Sequence, residues 1–394
     1  MRVLLLGAAG TTGSWAAALI ADLEGVRGLC LADLNLAAVE RLADELAAHH
    51  PEVSIEPAGI DVTERHELAV LIGRHDLVVN MVGPYYRFGV PVMSAAIAAG
   101  VDYIDVCDDW EPTVDMFELG GAAHATGSTC IVGMGASPGV SNLLALLATR
   151  DMDRVVDVVT AWPVDVDDDS DDGVTVDPGS APGAATVHWM LQLSGSIKTV
   201  EHGQIVDSVP LQPMKLTAPG HGRGTVYTVG HPEPITLRRT LNIQGRCVNA
   251  MVVTAGTVAF LDDLRQRVDR GEFTLEQAAA AIESPSPSLV VKAGLHSLGR
   301  SGPGRLPHFF ALATGSGPHG EVSVCATVQL PPAMAPATAV PLAIVVGHWL
   351  NGNLPRTPGV FAPEEIVDAD RFFEDLEGHV VGGAQMKLHS HAIG

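Results

Sequence analysis

A glycine-rich loop close to the amino terminus constrains the possible fold more than any other feature of this sequence. Residues 3–6 are a short, uninterrupted apolar run, typical of a parallel strand buried on both faces. The run leads into Gly7-Ala8-Ala9-Gly10-Thr11-Thr12-Gly13, and a helical pattern follows. In that context the glycines allow a tight turn, and N–H groups at the start of the helix can hold a pyrophosphate. The loop therefore predicts a dinucleotide-binding domain in which Gly7, Gly10, Thr11, Thr12 and Gly13 contact the cofactor.

Asp33 indicates which dinucleotide this domain binds. It lies twenty residues after Gly13, at the end of the second predicted strand. A carboxylate at that position accepts both hydroxyl groups of the adenosine ribose and repels a 2′-phosphate. No arginine adjoins it in the sequence, so NAD is predicted in preference to NADP. Asp61 follows the next predicted strand and is a second candidate contact, to the adenine; an ordinary exposed turn is the alternative.

Predicted strands and helices alternate along residues 1–140. The strands are predicted at 3–6, 28–32, 53–57, 77–82, 103–106 and 129–132, and the helices at 13–23, 36–48, 65–73, 91–99 and 113–126. Such alternation predicts an α/β fold with a doubly wound parallel sheet, the Rossmann architecture. In the first helix, Trp15, Leu19 and Ile20 are predicted to share one apolar stripe.

The pattern changes near residue 154, where period-two segments rich in Val and Thr begin. Examples are residues 155–162, 225–229 and 322–330. Helical stretches separate these segments, and the mixture predicts an α+β second domain over residues 141–337.

Two helices are predicted in the last part of the chain. Residues 338–350 are apolar and follow a capping residue, Thr338, whereas residues 363–376 have the pattern of a surface helix. Both are predicted to return to the Rossmann domain, over residues 338–376. Residues 377–394 have little core character and are predicted to form a mobile tail.

Charge and cysteine content exclude several classes of function. Asp and Glu number 46 against 23 for Lys and Arg, and the formal charge of −23 disfavours binding of nucleic acid. The apolar runs are too short for a membrane span or a signal peptide. The five cysteines are scattered, contain no C-x-x-C pair and are typical of buried thiols in a reducing compartment. These features predict a cytoplasmic protein with neither a nucleic-acid nor a membrane partner.

An acidic segment at residues 165–177 suggests a calcium loop at first sight. Aligning Asp168 with the first position of an EF-hand loop, however, leaves Gly179 where a bidentate Glu is required. The segment is therefore interpreted as a solvated acidic loop, and no metal site is predicted.

Extended short-chain dehydrogenases share the glycine spacing but also need a Tyr followed by a Lys four residues later. The four tyrosines, Tyr85, Tyr86, Tyr103 and Tyr227, are followed at that offset by Gly89, Val90, Cys107 and His231. That family is excluded, because the lysine that lowers the tyrosine pKa is missing.

Several further motifs resemble the saccharopine dehydrogenase family, including its reductase branch, lysine 6-dehydrogenase and carboxynorspermidine dehydrogenase. The matching segments are 76–89, with Gly83-Pro84-Tyr85, then 100–109, 133–142, with Ser137-Pro138-Gly139, 229–234, 357–360 and 363–365. The resemblance extends over almost the whole chain, and the Gly-Pro-Tyr and Ser-Pro-Gly segments are its most specific parts.

This resemblance implies a Rossmann domain completed by a carboxy-terminal return, a domain inserted between the two parts, and a homodimer. It also implies NAD(P)-dependent hydride transfer at a carbon that bears nitrogen, in an amino acid, opine-like compound or polyamine. The saccharopine-forming branch often carries Asp at the position of Ser137. A related amine is therefore an alternative substrate to saccharopine.

Residues after the fourth predicted strand lie at the carboxyl edge of the sheet, where open α/β sheets bind ligands. The backbone of Asn80, Val82, Gly83 and Pro84 is predicted to flank the nicotinamide ribose. Tyr85 is a candidate proton donor, with an aromatic lid residue as the alternative.

Charged residues near the same edge are further candidates. Arg87 matches a substrate carboxylate in geometry, with a surface salt bridge as the alternative. Asp108 is a candidate base, because an amine must lose a proton as hydride leaves. Asp109 is predicted to cap a helix, and Cys107 to pack in the core.

Four residues of the second domain are candidates for substrate contact, and each has a structural role as its alternative. They are His188, Arg223, His231 and Arg246. Imidazole exchanges protons near neutral pH, and guanidinium binds carboxylates.

Two other functions compete with an amine oxidoreductase. The chain could bind NAD without turnover, as a redox sensor or scaffold. It could also be a specialised biosynthetic imine reductase or cyclising enzyme with the same fold and cofactor site.

Overall fold

A computed structural model of the protein describes residues 1–165, 184–380 and 386–392. The chain forms two compact units. Unit 1 contains Met1–Leu143 and Leu330–Gln385, and unit 2 contains Leu144–Gln329 and Met386–Gly394. The unit boundaries were predicted after residues 140 and 337. Apart from its first residue, the acidic segment 165–177 lies outside the described residues.

Unit 1 is built on a seven-stranded sheet in which every pair is parallel. Its strands are β1 (Arg2–Leu6), β2 (Gly28–Asp33), β3 (Ser54–Gly59), β4 (Leu77–Asn80), β5 (Asp102–Asp105), β6 (Thr129–Ile131) and β15 (Gly359–Phe361). The spatial order is β15-β6-β5-β4-β1-β2-β3. The chain leaves β1 first toward β2 and later returns to β4 on its other side, which makes the β1/β4 edge a topological switch point. The predicted doubly wound α/β fold is confirmed.

Helices cover this sheet. They are α1 (Thr11–Ala21), α2 (Leu36–His49), α3 (Arg65–Ile72), α4 (Tyr85–Ala98), α5 (Trp110–Phe117), α6 (Gly120–Thr126), α13 (Met334–Leu350), α14 (Pro363–Ile366) and α15 (Ala369–Glu377). A further helix, α7 (Val140–Thr149), follows the loop after β6.

Three of the helices predicted for residues 1–140 differ from the structure, and one of them, 113–126, is divided into α5 and α6. In α1, Ile20 is buried, but Trp15 is about half exposed, so the predicted stripe that included Trp15 was wrong. Helix α4 starts at Tyr85 instead of Pro91 and contains Pro91 within it. The apolar residues on both sides of the proline are buried against the sheet, and this burial outweighs the lost backbone hydrogen bond.

The carboxy-terminal part of unit 1 begins with α13, which packs along α1. Helix α13 starts four residues before Thr338, with Ala333 at its N-cap, so the predicted cap was wrong. Every residue from Ala339 to Trp349 is buried, and this part of the helix is apolar on nearly all sides. The predicted surface helix 363–376 is broken into α14 and α15, because the Asp368 side chain caps a new helix by accepting a hydrogen bond from Arg371 N.

Unit 2 contains a mixed sheet with β10-β11-β12-β7-β13-β14-β16 as its main order, while β8 pairs with β12 and β9. The strands are β7 (Arg154–Pro163), β8 (Ile197–Glu201), β9 (Gln204–Ser208), β10 (Pro213–Ala218), β11 (Gly222–Thr228), β12 (Cys247–Val252), β13 (Phe310–Gly317), β14 (Gly320–Thr327) and β16 (Lys387–Ala392). Its helices are α8 (Ala184–Gln192), α9 (Glu233–Thr240), α10 (Ala255–Asp269), α11 (Leu275–Glu283) and α12 (Pro287–Ser297). Only β7 and β12 run parallel; the other pairs between these described strands are antiparallel.

The predicted mobile tail was wrong for residues 387–392. They form β16, which pairs antiparallel with β14 over its full length, from Val322 opposite Ala392 to Thr327 opposite Lys387. The pairing satisfies backbone groups at the edge of the sheet, and so polar side chains do not prevent the strand from forming.

All five cysteines are buried and free, as predicted. Within residues 1–165, 184–380 and 386–392, no helix combines the length and the hydrophobicity that a membrane span requires.

Candidate cofactor site

The glycine loop after β1 has the geometry of a phosphate-binding turn. Gly7 has a φ of +80°, and a Cβ there would lie 2.8 Å from the carbonyl carbon of Met81. A Cβ at Gly13 would collide with the carbonyl oxygen of Gly7. Both positions therefore require glycine, the first for its backbone conformation and the second for the close approach of α1 to the loop.

The start of α1 is open to a ligand. Gly10 is the N-cap, and no side chain caps the helix. Gly10 and Thr11 are exposed, and Thr12 is half-buried. Uncapped N–H groups at a helix amino terminus, together with the helix dipole, attract a phosphate.

Asp33 ends β2 next to this loop, and its carboxylate is fixed by two backbone donors. Its Oδ2 accepts a hydrogen bond from Ala9 N at 3.1 Å, and its Oδ1 accepts one from Asn35 N at 3.0 Å. Each oxygen keeps a lone pair for a further donor, such as a ribose hydroxyl. The carboxylate is therefore held where an adenosine ribose would lie.

Asp61 lies in an exposed turn, as in the alternative interpretation of this residue. Its Oδ1 accepts hydrogen bonds from the Thr63 hydroxyl at 2.6 Å and from Thr63 N at 2.9 Å. These bonds lower the pKa of the Asp61 carboxyl. They also account for its position without an adenine contact.

The loop after β4 is held by Asn80, which is fully buried. Its Oδ1 accepts a hydrogen bond from Val82 N at 3.1 Å. Val82 and Pro84 are half-buried, Gly83 is exposed, and no heavy atom lies within 4 Å of a Cβ built on Gly83. The backbone of residues 82–84 is thus accessible beside the switch point, as the predicted nicotinamide contact requires, but the predicted contact from Asn80 was wrong because that residue is fully buried.

Tyr85 is a core residue, and the prediction that it donates a proton to substrate was wrong. Its hydroxyl donates a hydrogen bond to the carbonyl oxygen of Asn80 at 2.8 Å, and its side chain belongs to the buried cluster under α4. Burial raises the pKa of this hydroxyl well above its usual range. Cys107 is buried in the same cluster, as predicted, and burial likewise raises the pKa of its thiol.

Asp105, which the sequence analysis left unassigned, is a fully buried carboxylate at the end of β5. It accepts hydrogen bonds from Cys107 N at 3.0 Å, Gly133 N at 2.8 Å and the Tyr103 hydroxyl at 2.8 Å. Burial raises its pKa from 3.8 to about 6, although the three hydrogen bonds act in the opposite direction. An acidic residue that ends a parallel strand, the signal that identified Asp33, could also have identified Asp105.

The two carboxylates after β5 occupy different environments. Asp108 is half-buried, whereas Asp109 is buried at the N-cap of α5. Asp109 was predicted to cap a helix. Its side chain does not cap α5; instead its Oδ2 accepts a hydrogen bond from Tyr86 N, in the first turn of α4, at 3.1 Å. Arg87 is exposed, lies 4.9 Å from the centre of the Phe88 ring and forms no ion pair with any described residue. The alternative of a surface salt bridge for Arg87 is therefore not observed.

The four candidates in unit 2 lie on different segments, two of them on a helix or strand and two in loops. Arg223 is exposed on β11, and Arg246 is exposed just before β12, where it pairs with Glu201 at 3.0 Å. His188 lies on α8, with its Nε2 2.9 Å from the Gln192 amide nitrogen. The ion pair with Glu201 gives Arg246 the structural role that was the alternative to substrate contact.

His231 is buried and belongs to a polar cluster at the ends of β7 and β12. Its ring stacks against Trp162 with centroids 5.4 Å apart, and its Nδ1 lies 3.5 Å from Glu233 Oε2. Glu233 is fully buried and accepts a hydrogen bond from the Asn249 amide at 2.7 Å. Asn249 in turn donates to Thr160 and accepts from the Trp162 indole N–H. His231 was predicted as a candidate for substrate contact, whereas no role was predicted for Glu233 or Asn249.

Comparison with known proteins identifies the amino-terminal part of unit 1. Residues 3–131 match the family described as the saccharopine dehydrogenase NADP binding domain. The amino-terminal part of unit 1 therefore contains a domain of the saccharopine dehydrogenase type. For residues 3–131, this match confirms the resemblance inferred from the sequence motifs.

Two curated relatives of this saccharopine dehydrogenase domain are similar over part of their length. A trans-acting enoyl reductase of Mycobacterium leprae is 29% identical over 34% of the chain and 32% of its own length. A carboxyaminopropylagmatine dehydrogenase of Synechocystis is 28% identical over 38% of each protein. The chain thus matches about a third of the length of these relatives.

A solved structure shares the fold over the whole chain. The apo saccharopine dehydrogenase (L-Glu forming) of Saccharomyces cerevisiae aligns with a TM-score of 0.63 at 16% identity, covering 99% of this chain and 100% of the yeast chain. At this identity the match establishes the fold alone, since one fold serves many functions.

The saccharopine dehydrogenase domain has the features that a pyridine nucleotide requires. The loop leaves no room for a Cβ at Gly7 or Gly13, the start of α1 is uncapped, and Asp33 faces the same edge of the sheet. A bound nucleotide would extend from Asp33 across the glycine loop toward the ends of β4 and β5.

Proposed function

We propose that the protein is an NAD-dependent oxidoreductase that acts on a carbon–nitrogen bond of an amino acid or opine-like substrate. One observation carries the cofactor part of this proposal: the uncapped start of α1 lies next to a carboxylate, Asp33, that two backbone N–H groups hold in place. A nicotinamide in this site would supply the hydride acceptor or donor.

The preference for NAD over NADP rests on the charge of Asp33. Because Ala9 and Asn35 fix its carboxylate, it cannot swing away from a 2′-phosphate without losing two hydrogen bonds. The residues that follow it, Leu34 and Asn35, carry no positive charge. The family is described as NADP binding, so this preference distinguishes the chain from its family's description.

The substrate class rests on the named relatives and on the chemistry of the site. The relative carboxyaminopropylagmatine dehydrogenase and the saccharopine dehydrogenase family are both named after amine substrates. Oxidation of an amine releases a proton, and Asp108, half-buried after β5, is the candidate base on the ligand edge. The backbone of residues 82–84 would orient the nicotinamide.

A substitution at Asp33 tests the cofactor assignment. We expect Asp33→Ala to weaken NADH binding by about tenfold and to raise the affinity for NADPH relative to NADH, because the ribose loses its acceptor and the 2′-phosphate loses a repulsive charge. Titration of both nucleotides by fluorescence measures this. Asp44→Ala, which removes an exposed carboxylate on α2, is the matched control and should leave both affinities unchanged. If the ratio of the NADH affinity to the NADPH affinity is the same in Asp33→Ala as in the wild type, the role of Asp33 is refuted.

A substrate panel tests the reaction class. Purified protein with NAD or NADP is mixed with lysine, saccharopine, diamines and pairs of amino acids with keto acids, and absorbance of the reduced nicotinamide is followed. A change with one amine and NAD supports the proposal. No change across the panel, with NADH binding intact, favours a non-catalytic NAD-binding protein or a specialised imine reductase. Light scattering on the same sample tests the homodimer that the resemblance implied.

A second candidate function is reduction of a carbon–carbon double bond. The observation that favours it is the similarity to a trans-acting enoyl reductase. An enoyl thioester belongs in the same panel, and oxidation of NADH or NADPH by that compound alone would favour this second function over the first.

A further inference from the structure

The carboxyl ends of β4, β5 and β6 carry a hydrogen-bond chain that the proposed function has not yet used. At its centre, the Oδ1 atom of Asp105 accepts hydrogen bonds from two backbone N–H groups. One belongs to Cys107, in the loop after β5, and the other to Gly133, in the loop after β6. A single carboxylate oxygen therefore joins two neighbouring loops.

The other carboxylate oxygen connects Asp105 to the third loop. Its Oδ2 accepts a hydrogen bond from the Tyr103 hydroxyl at 2.8 Å, and that hydroxyl accepts one from Asn80 Nδ2 at 3.0 Å. Asn80 Oδ1 then accepts a bond from Val82 N at 3.1 Å. The chain of bonds thus runs from the loop after β4 to the loop after β6.

The donors around Asp105 suit an ionised carboxylate better than any neutral group. Three donors face its two oxygens, so an amide or a protonated carboxyl would turn an N–H or O–H toward one of them. Asp105, Tyr103 and Asn80 are all fully buried, which excludes direct contact with a ligand. Burying a charged carboxylate costs more free energy than filling the same space with neutral side chains.

The loops after β5 and β6, which this chain of hydrogen bonds connects, lie close together. Gly133 has a φ of +82°, and a Cβ there would lie 2.7 Å from Pro138 Cγ and 3.1 Å from the Cys107 carbonyl oxygen. The loops after β5 and β6 therefore approach each other as closely as their backbones allow.

These three loops lie on the nicotinamide side of the proposed site. Asp33, on β2, marks the adenosine side, and the glycine loop after β1 marks the pyrophosphate. In the order β6-β5-β4-β1-β2, the other end of the dinucleotide must extend over β4 and β5.

We infer that Asp105 is a positioning residue that sets the spacing of the three loops around the nicotinamide, and thereby controls binding of the nicotinamide half of the cofactor without affecting the adenosine half. This inference rests on the proposed function, since it presumes that NAD binds at this edge. Asp105 acts through the backbone of the loops and does not touch the cofactor.

Asp102 provides a matched control, because it builds a similar bridge at the opposite end of β5. Its Oδ1 accepts a hydrogen bond from Thr129 N, on β6, at 2.7 Å, and its Oδ2 accepts one from the Trp349 indole at 2.8 Å. Asp102→Asn and Asp105→Asn therefore make the same chemical change on the same strand. Asp102 lies at the end of β5 away from the ligand edge, and Asp105 lies at that edge.

The experiment measures dissociation constants of NADH and ADP by calorimetry for the full chain and both variants. For Asp105→Asn we expect the NADH constant to rise about tenfold and the ADP constant to change by less than about twofold, since one charge-assisted hydrogen-bond arrangement is lost on the nicotinamide side alone. For Asp102→Asn we expect less than about twofold change for either ligand, with a lower melting temperature.

Two results would overturn the inference: unchanged NADH affinity in Asp105→Asn, or equal loss of NADH and ADP affinity. If that variant does not fold, Tyr103→Phe decides, because it removes the link to Asn80 and leaves the bonds to Cys107 and Gly133. We expect this variant to raise the NADH constant about threefold without affecting ADP, and an unchanged constant contradicts the inference. Failure of the proposed function is distinguishable: if the cofactor assignment is wrong, the wild-type protein does not bind NADH, and if only the reaction class is wrong, NADH binds but the substrate panel gives no change.

Discussion

The buried carboxyl of Asp105 predicts a specific dependence of stability on pH. Its pKa in the folded protein is about 6, compared with 3.8 for an exposed Asp. The pKa is raised on folding, so the protonated form is favoured in the folded state. The stability that this group contributes is therefore greatest below pH 3.8 and is lost as the pH rises through 6.

The magnitude follows from these two values. At about 1.36 kcal/mol for each pKa unit, complete ionisation lowers the free energy of unfolding by about 3 kcal/mol, and about 2 kcal/mol of this falls between pH 4 and pH 7. Asp105→Asn has no group to ionise at this position. Tyr85, Tyr103 and Cys107 face the carboxyl, but burial raises their pKa values, so they stay neutral in this range. Asp108 also faces it and is present in both proteins.

Urea unfolding, followed by tryptophan fluorescence at several values between pH 4 and pH 7, measures the difference between the two proteins. We expect Asp105→Asn to gain about 2 kcal/mol relative to the wild type across this range, whatever the offset between them at pH 4. Other titrating groups are shared and cancel in the difference. Parallel stability curves would refute the reasoning, because they would mean that Asp105 has the same pKa in the folded and unfolded chain.

Three further predictions concern other parts of the chain. Gly13→Ala places a Cβ against the carbonyl of Gly7, and we expect at least about tenfold weaker NADH binding, measured by titration, because the loop must shift. Similar affinity would contradict the close packing. Removing residues 386–394 deletes β16 and exposes the edge of β14, so we expect a lower melting temperature and concentration-dependent aggregation, detectable by calorimetry and light scattering. All five thiols should react with a disulfide reagent in denaturant and none within minutes in the native protein, since all are buried.

Local pattern was sufficient to predict the Rossmann strands and the cofactor loop. Strands β1, β2 and β4 are short, mainly apolar runs, and the positions of Gly7, Gly13 and Asp33 are determined by the turn that connects strand to helix. These features depend on neighbours in the sequence, and that is why a pattern of residues reveals them.

Other features depend on contacts between distant segments. The sequence of the first turn of α4 does not tell which side chain points inward, and Tyr85 proved to bond the backbone beneath it. Residues 387–392 are polar and form a strand only because β14 offers an unpaired edge. Asp105 acquires its role from Gly133, which lies in the loop after β6.

The interleaved order of the two units has a consequence for synthesis. Unit 1 needs residues 330–385, which supply α13 against α1 and β15 beside β6, and unit 2 needs β16 after that. Residues 1–329, which include segments of both units, are therefore synthesised before either unit is complete. During translation, the face of α1 that packs against α13 stays uncovered until about three hundred further residues have been made.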